Sequence, residues 1–252
     1  MLGFAANLTT LFTEWPFPDR FGAACDAGFR AVEFSFPAGV AAKDIAKSLR
    51  QYNLTQVLAT VPVRPGSKGF AAIAGKQAEF REDFQRGLEY AVEAGCPLLH
   101  PLSGVVDPHC HTDAGRYFDE NIRWALEKVE GSGVKIVIES INQIDAPGYF
   151  IRSLGDAHRW TRDLDGLGLI LDFYHASMEL GKTCSFDDLV KIEFDHIQIA
   201  SYPNRNEPDE KALLALRDTE LSAQQFTGWV GCEYVPARHT LDGLKWLSPF
   251  VA

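Results

Sequence analysis

The amino-acid sequence predicts an α/β fold, a single (β/α)8 TIM barrel spanning residues 1–252, and three observations carry that expectation. Short apolar runs alternate with longer stretches of helical periodicity along the whole chain, and eight of those runs qualify as strands. Dividing 252 residues eightfold gives about 31 per βα unit, the size of a barrel repeat. The rival architecture, an open doubly wound sheet, usually declares a phosphate-binding G-x-G-x-x-G after an early strand, and neither that motif nor a P-loop occurs. No Gly/Ser/Pro-rich linker or shift in composition divides the chain, so one domain is expected.

In order, the expected strands are Gly3–Leu8, Ala31–Phe34, Leu54–Thr60, Leu98–Pro101, Lys135–Glu139, Leu167–Asp172, His196–Ile199 and Gly231–Tyr234. Between them the helical pattern occupies Pro18–Ala27, Lys43–Tyr52, Gln77–Ala94, Gly115–Gly131, Leu154–Leu164, Phe186–Lys191 and Lys211–Gln225, with a last stretch from about Thr240. Start and stop signals support several of these. Ser153 in "SLGDAHRW" suits a helix N-cap, and "EAGC" and "EGSG" end helices in glycine, which accepts the left-handed C-terminal conformation.

The net charge of −10 is spread along the chain, with no basic stripe. Binding a nucleic-acid backbone needs concentrated Lys and Arg, so no nucleic-acid partner is expected, while a divalent cation is readily accommodated. Five cysteines, Cys25, Cys96, Cys110, Cys184 and Cys232, are scattered without a CxxC pair and read as reduced thiols. The N-terminal "MLGFAANLTTLFTEW" lacks the basic start of a signal peptide, and no segment approaches the roughly 20 apolar residues of a membrane span. A cytoplasmic protein without a membrane partner is expected, and a homo-oligomer is compatible with the sequence.

The stretch "VKIVIESINQ" drives a β-branched apolar run into the carboxylate of Glu139, a costly group to bury unpaired. In a barrel, residues at the C-terminal ends of strands face the active site. Glu139 ends strand five, Asp172 ends strand six, Gln198 lies on strand seven and Glu233 on strand eight. Their separations of 33, 26 and 35 residues track one βα unit. Each interrupts an apolar run where a helix cap would follow it. Three carboxylates and one amide oxygen form a hard donor set that suits Mg²⁺ or Mn²⁺. His175, expected in the loop after strand six, and Arg205, after strand seven, are substrate-contact candidates. Arg205 could grip a carboxylate through two parallel hydrogen bonds. Lys68, after strand three, is a third such candidate. His109, Cys110 and His111 in "DPHCHTD", near His100, read as a polar rim loop.

The combination "IESINQIDAPGYF", "LDFYHASM", "HIQIASYPNRNEP" and "GWVGCEY", with "FAANLTTLF" and "IAGKQAEFR" earlier, resembles the hydroxypyruvate isomerase family over nearly the whole chain. That family belongs to the xylose-isomerase-like barrels, with the ketose 3-epimerases and an endonuclease branch among its relations. The resemblance implies conversion of hydroxypyruvate to tartronate semialdehyde by proton transfer through an enediolate. It implies Glu139 and Glu233 as the acid/base pair and Glu139, Asp172, Gln198 and Glu233 as metal ligands, with no organic cofactor. A 2-oxo-tetronate isomerase, a C3 ketose epimerase on the same site and a sugar-acid-binding paralogue without turnover are the alternatives. Two departures bear on the substrate. Ala59 and Thr60 stand where a His–Asn pair is expected, and "DEKALLALRD" replaces a glycine-rich turn after "NRNEP".

Overall fold

A computed structural model describes residues 3–107, 111–185, 188, 192–210, 213 and 226–250, with residues 111 and 112 as backbone only. Its eight parallel strands close into a barrel in chain order. They are β1 Gly3–Asn7, β2 Ala31–Phe34, β3 Thr55–Thr60, β4 Leu98–His100, β5 Lys135–Glu139, β6 Gly168–Asp172, β7 His196–Gln198 and β8 Trp229–Cys232. The helices are α1 Arg20–Asp26, α2 Ala42–Tyr52, α3 Gln77–Ala94, α4 His111–Val129, α5 Leu154–Asp163, α6 Phe173–Leu180 and α7 Thr240–Gly243. Short 3-10 turns at Phe17–Asp19 and Leu244–Leu247 adjoin α1 and α7. The expected helices at Phe186–Lys191 and Lys211–Gln225, and the "DEKALLALRD" departure, lie largely outside the described residues.

Two compact units are distinguished, Met1–Glu33 with Lys47–Val57 and Leu171–Ala252, and Phe34–Ala46 with Leu58–Ile170. The first holds an arc of strands in the order β7, β8, β1, β2. Gln198 faces Gly231 across β7 and β8, Ala6 faces Cys232 across β1 and β8, and Asn7 faces Glu33 across β1 and β2. Phe4 of β1 meets Trp246 and Phe250 edge-on, with ring centroids 5.1 Å apart in each case. Such aromatic pairs add about 0.5–1.5 kcal/mol beyond the area they bury.

The second unit holds the arc from β3 to β6, with Thr60 opposite His100, Leu99 opposite Ile136 and Glu139 opposite Ile170. Residues 136–139 of β5 are all buried, as strands covered on both faces must be, which is why Ile136, Val137 and Ile138 read as an unbroken apolar run up to Glu139. Helices α3 and α4 meet through Phe84 and Trp124, 5.8 Å apart. Gly87 lets α3 approach Val61 so closely that an added Cβ would lie 3.1 Å from its backbone. Ser153 caps α5 by accepting the Asp156 N–H at 3.0 Å, and Gly95 ends α3 in the left-handed conformation at φ 70°.

Two expectations need correction. Strand eight runs over Trp229–Cys232, so Glu233 follows the strand and is not inside it. The ladder with β1 begins where Gly3 pairs with Trp229 and ends where Ala6 pairs with Cys232, one residue short of Glu233. The segment after β6 is helix α6, so His175 sits in a helical first turn and not in a loop. Among the described residues no helix is long and apolar enough to cross a membrane.

Candidate active site

In the first unit, Asp172 closes β6 in extended conformation and starts α6. Its Oδ1 accepts the N–H groups of Tyr174 at 2.6 Å and His175 at 3.2 Å, two of the donors a helix start leaves without intrahelical partners. Its other oxygen, Oδ2, is buried without a hydrogen-bond partner among the described residues. His175, also buried, brings Nε2 to 3.9 Å from that oxygen. One carboxylate thus holds the helix with one atom and presents the other.

Gln198 ends β7 and is buried. Its Nε2 donates to Glu33 Oε1 at 2.8 Å, and its Oε1 is buried without a hydrogen-bond partner among the described residues. Glu33, on β2 and 0% exposed, also receives Asn7 Nδ2 at 3.0 Å and lies 2.6 Å from His196 Nε2. A buried carboxylate is tolerated when hydrogen bonds surround it, and here three side chains do so.

Just past β8, the Glu233 side chain is a quarter exposed and its Oε1 lies 3.1 Å from the Arg205 guanidinium. Burial raises the Glu233 carboxyl to about 8; Arg205 opposes the rise, and the carboxylates of Asp172 and Glu33 add to it. Arg205 takes a left-handed backbone conformation, φ 55°, uncommon for a side chain this large. Its N–H reaches Ser201 O and its carbonyl receives the Val235 N–H, each at 2.8 Å. Its guanidinium carbon stands 4.9 Å over the Tyr174 ring. The loop after β7 is therefore tied to the segment after β8, and the arginine head is directed at Glu233.

In the second unit, Glu139 ends β5, buried, with Oε2 3.8 Å from His100 Nδ1. Burial lowers His100 to about 4, so at neutral pH the imidazole is uncharged and the contact is not an ion pair. Tyr149, fully buried, accepts the Ser103 N–H on its hydroxyl at 3.1 Å, and burial raises its phenol well above the usual range. Asn142 Oδ1 accepts the N–H groups of Ile144 and Asp145 at 3.0 Å each, so the "IN" after Glu139 builds a turn. Two backbone bridges lace the rim, Gly69 with Ser103 and Val105 with Tyr149. A Cβ on Gly69 would fall 2.1 Å from Leu102 O, so that crossing requires glycine. Lys68 is exposed beside it. Thr60, where the resemblance expects the second residue of a His–Asn pair, accepts the Phe36 N–H on its hydroxyl at 3.0 Å.

The depressed His100 basicity has a measurable consequence. As pH falls from about 6.5 toward 4, the unfolded chain binds a proton that the folded protein refuses, so stability is lost on acidification. The loss approaches about 3 kcal/mol from this group at the acid end. His100→Gln is expected to flatten that part of the curve in urea titrations at pH 7 and pH 4.5. Equal losses in both proteins would remove His100 as the cause.

Among the predicted residues, Asp172, His175, Gln198, Glu233 and Arg205 lie in the first unit and Glu139 and Lys68 in the second. His109 and Cys110 lie outside the described residues, as does the side chain of His111. Sequence reasoning missed Glu33, Asn7, His196 and Tyr149. The available signal was faint, a single acid inside the apolar "AVEF" and an asparagine ending β1.

The xylose isomerase-like TIM barrel family matches residues 21–250. The 2-oxo-tetronate isomerase of Haemophilus influenzae is 37% identical over 98% of this chain and 98% of its own. The hydroxypyruvate isomerase of Escherichia coli is 30% identical over 99% and 100%. A crystal structure from Brucella melitensis, titled as an AP endonuclease of family 2, superposes with a TM-score of 0.92 at 37% identity and covers 100% of both chains.

Proposed function

This chain belongs to the xylose isomerase-like TIM barrel family, and from that premise we propose that it is an isomerase of a small hydroxy-keto acid acting through an enediolate. Its similarity at 37% to a 2-oxo-tetronate isomerase, against 30% to a hydroxypyruvate isomerase, puts a four-carbon 2-oxo-tetronate ahead of hydroxypyruvate as substrate. The single-domain organisation over residues 1–252 belongs to the same proposal. It is supported by the unit boundaries, which interrupt β2, α2, β3 and β6 and fall in no linker.

A divalent cation, Mg²⁺ or Mn²⁺, fits Glu139, Asp172, Gln198 and Glu233. The observation that carries this is the pair of buried oxygens, Asp172 Oδ2 and Gln198 Oε1, that no donor satisfies among the described residues. His175, buried with Nε2 3.9 Å from Asp172 Oδ2, is a ligand candidate as well as a substrate contact. When bound, the cation supplies Lewis-acid stabilisation of the negative oxygen left by proton removal.

The chain's own groups would do the rest. Glu139 and Glu233 would remove and return the proton. Arg205 would bind the substrate carboxylate, and Lys68 and His175 are further substrate contacts. The Tyr174 ring and the Glu233 carboxylate hold the Arg205 fork before substrate arrives, which lowers the entropic cost of using it.

Incubation with 2-oxo-tetronate or hydroxypyruvate in D₂O with Mn²⁺ tests the reading. Deuterium is expected at the carbon that exchanges its proton, together with the isomeric product. Exchange into neither acid would leave a sugar-acid binder without turnover, and exchange confined to a longer ketose would identify an epimerase.

A further inference from the structure

We propose that Glu33 is a positioning residue that selects which face of the Gln198 amide points outward, and so makes that side chain an oxygen ligand. The inference rests on the reading of Gln198 as a cation ligand.

An amide is two-faced, with an acceptor oxygen and a donor nitrogen that differ little in shape. A carboxylate can only accept. Glu33 Oε1 lies 2.8 Å from Gln198 Nε2, so this nitrogen must face the carboxylate. Turning the amide over would set oxygen against oxygen and forfeit the hydrogen bond. The outward atom is therefore Oε1, which is buried and lacks a hydrogen-bond partner among the described residues.

Glu33 is itself held from three directions. Asn7 Nδ2 donates to Oε1 at 3.0 Å, and Asn7 cannot turn over because its Oδ1 accepts the Thr9 N–H at 3.0 Å. His196, two residues before Gln198 and on the same face of β7, brings Nε2 to 2.6 Å from Oε2. Facing a carboxylate, that nitrogen carries the proton. On β8, Gly231 leaves the space the carboxylate occupies, since a Cβ there would lie 2.3 Å from Oε2. Glu33 thus sits inside a network that fixes it and, through it, fixes Gln198. Partners that orient a ligand from behind typically alter metal affinity by about 10–100-fold when replaced.

The test measures Mn²⁺ affinity of the full chain by calorimetry or electron paramagnetic resonance. Glu33→Gln is expected to weaken binding about 10–100-fold while the protein stays folded. A glutamine at 33 can accept or donate, so Gln198 loses its preferred face. In a Gln198→Ala background, where no amide is left to orient, the same substitution is expected to change affinity by no more than about threefold. A merely structural role for Glu33 would give the same loss in both backgrounds. Gly231→Ala, which keeps the charge but crowds the carboxylate away from Gln198, should also weaken Mn²⁺ binding and serves if Glu33→Gln does not fold. Wild-type affinity in Glu33→Gln, or equal losses in both backgrounds, would overturn this inference alone. A wild-type protein that binds no Mn²⁺ would overturn it together with the cation part of the proposed function.

Discussion

Glu233→Gln is expected to lower turnover by about 10²–10⁴-fold, the usual contribution of a positioned acid or base. Glutamine matches the shape of glutamate, so the loop after β8 and the Arg205 contact, 3.1 Å in the wild type, can be kept with an amide oxygen as acceptor. What disappears is the ability to take up and return a proton. Burial and the neighbouring carboxylates of Asp172 and Glu33 already strain an ionised Glu233, so removing its charge should leave the fold as stable or more so. The deciding measurement is kcat beside thermal unfolding. Near wild-type turnover in a folded variant would remove Glu233 from the chemistry.

Asp172 separates two roles that usually coincide. Its Oδ1 caps α6 and its Oδ2 has no hydrogen-bond partner among the described residues. Asp172→Asn keeps an oxygen able to cap the helix but replaces the other oxygen with a nitrogen that cannot ligate a hard cation. Its Mn²⁺ affinity is expected to fall at least as far as for an outer partner, beyond about 100-fold, with little change in unfolding free energy. Asp172→Ala removes both atoms and should add the cost of a lost cap, about 0.5–2 kcal/mol. Isothermal titration with Mn²⁺ and urea unfolding of the two variants distinguish the roles. Equal stability of the Asn and Ala forms would refute the cap, and retained affinity in the Asn form would refute the ligand.

Much of the fold was legible because parallel strands buried on both faces are written as unbroken apolar runs; β5 occupies the predicted residues, Lys135–Glu139. The helix after β6 was missed for a local reason. "FYHASMEL" follows the strand without an intervening turn, and its cap is Asp172, already read as a ligand. Gly181, left-handed at φ 67°, was the stop signal that could have revealed it. Glu33 escaped for a topological reason. One acid within "AVEF" has no periodicity to betray it, and its partners Asn7, His196 and Gln198 stand 26, 163 and 165 residues away. Spacing along the chain could suggest candidate ligands at strand ends, but not what stands behind them.

The lacing of Gly69 to Ser103 and of Val105 to Tyr149 bears on when the rim becomes ordered. Restricting one residue's backbone costs roughly 1–2 kcal/mol of conformational entropy at room temperature. Where loops are already joined backbone to backbone, that ordering accompanies folding, before any ligand arrives. On the proposed reading, the segment that carries Lys68 would therefore meet its small substrate with the main chain already arranged. A substrate of a few carbons has little surface with which to organise a loose loop, so this side of the rim suits a small guest for reasons of entropy as well as size.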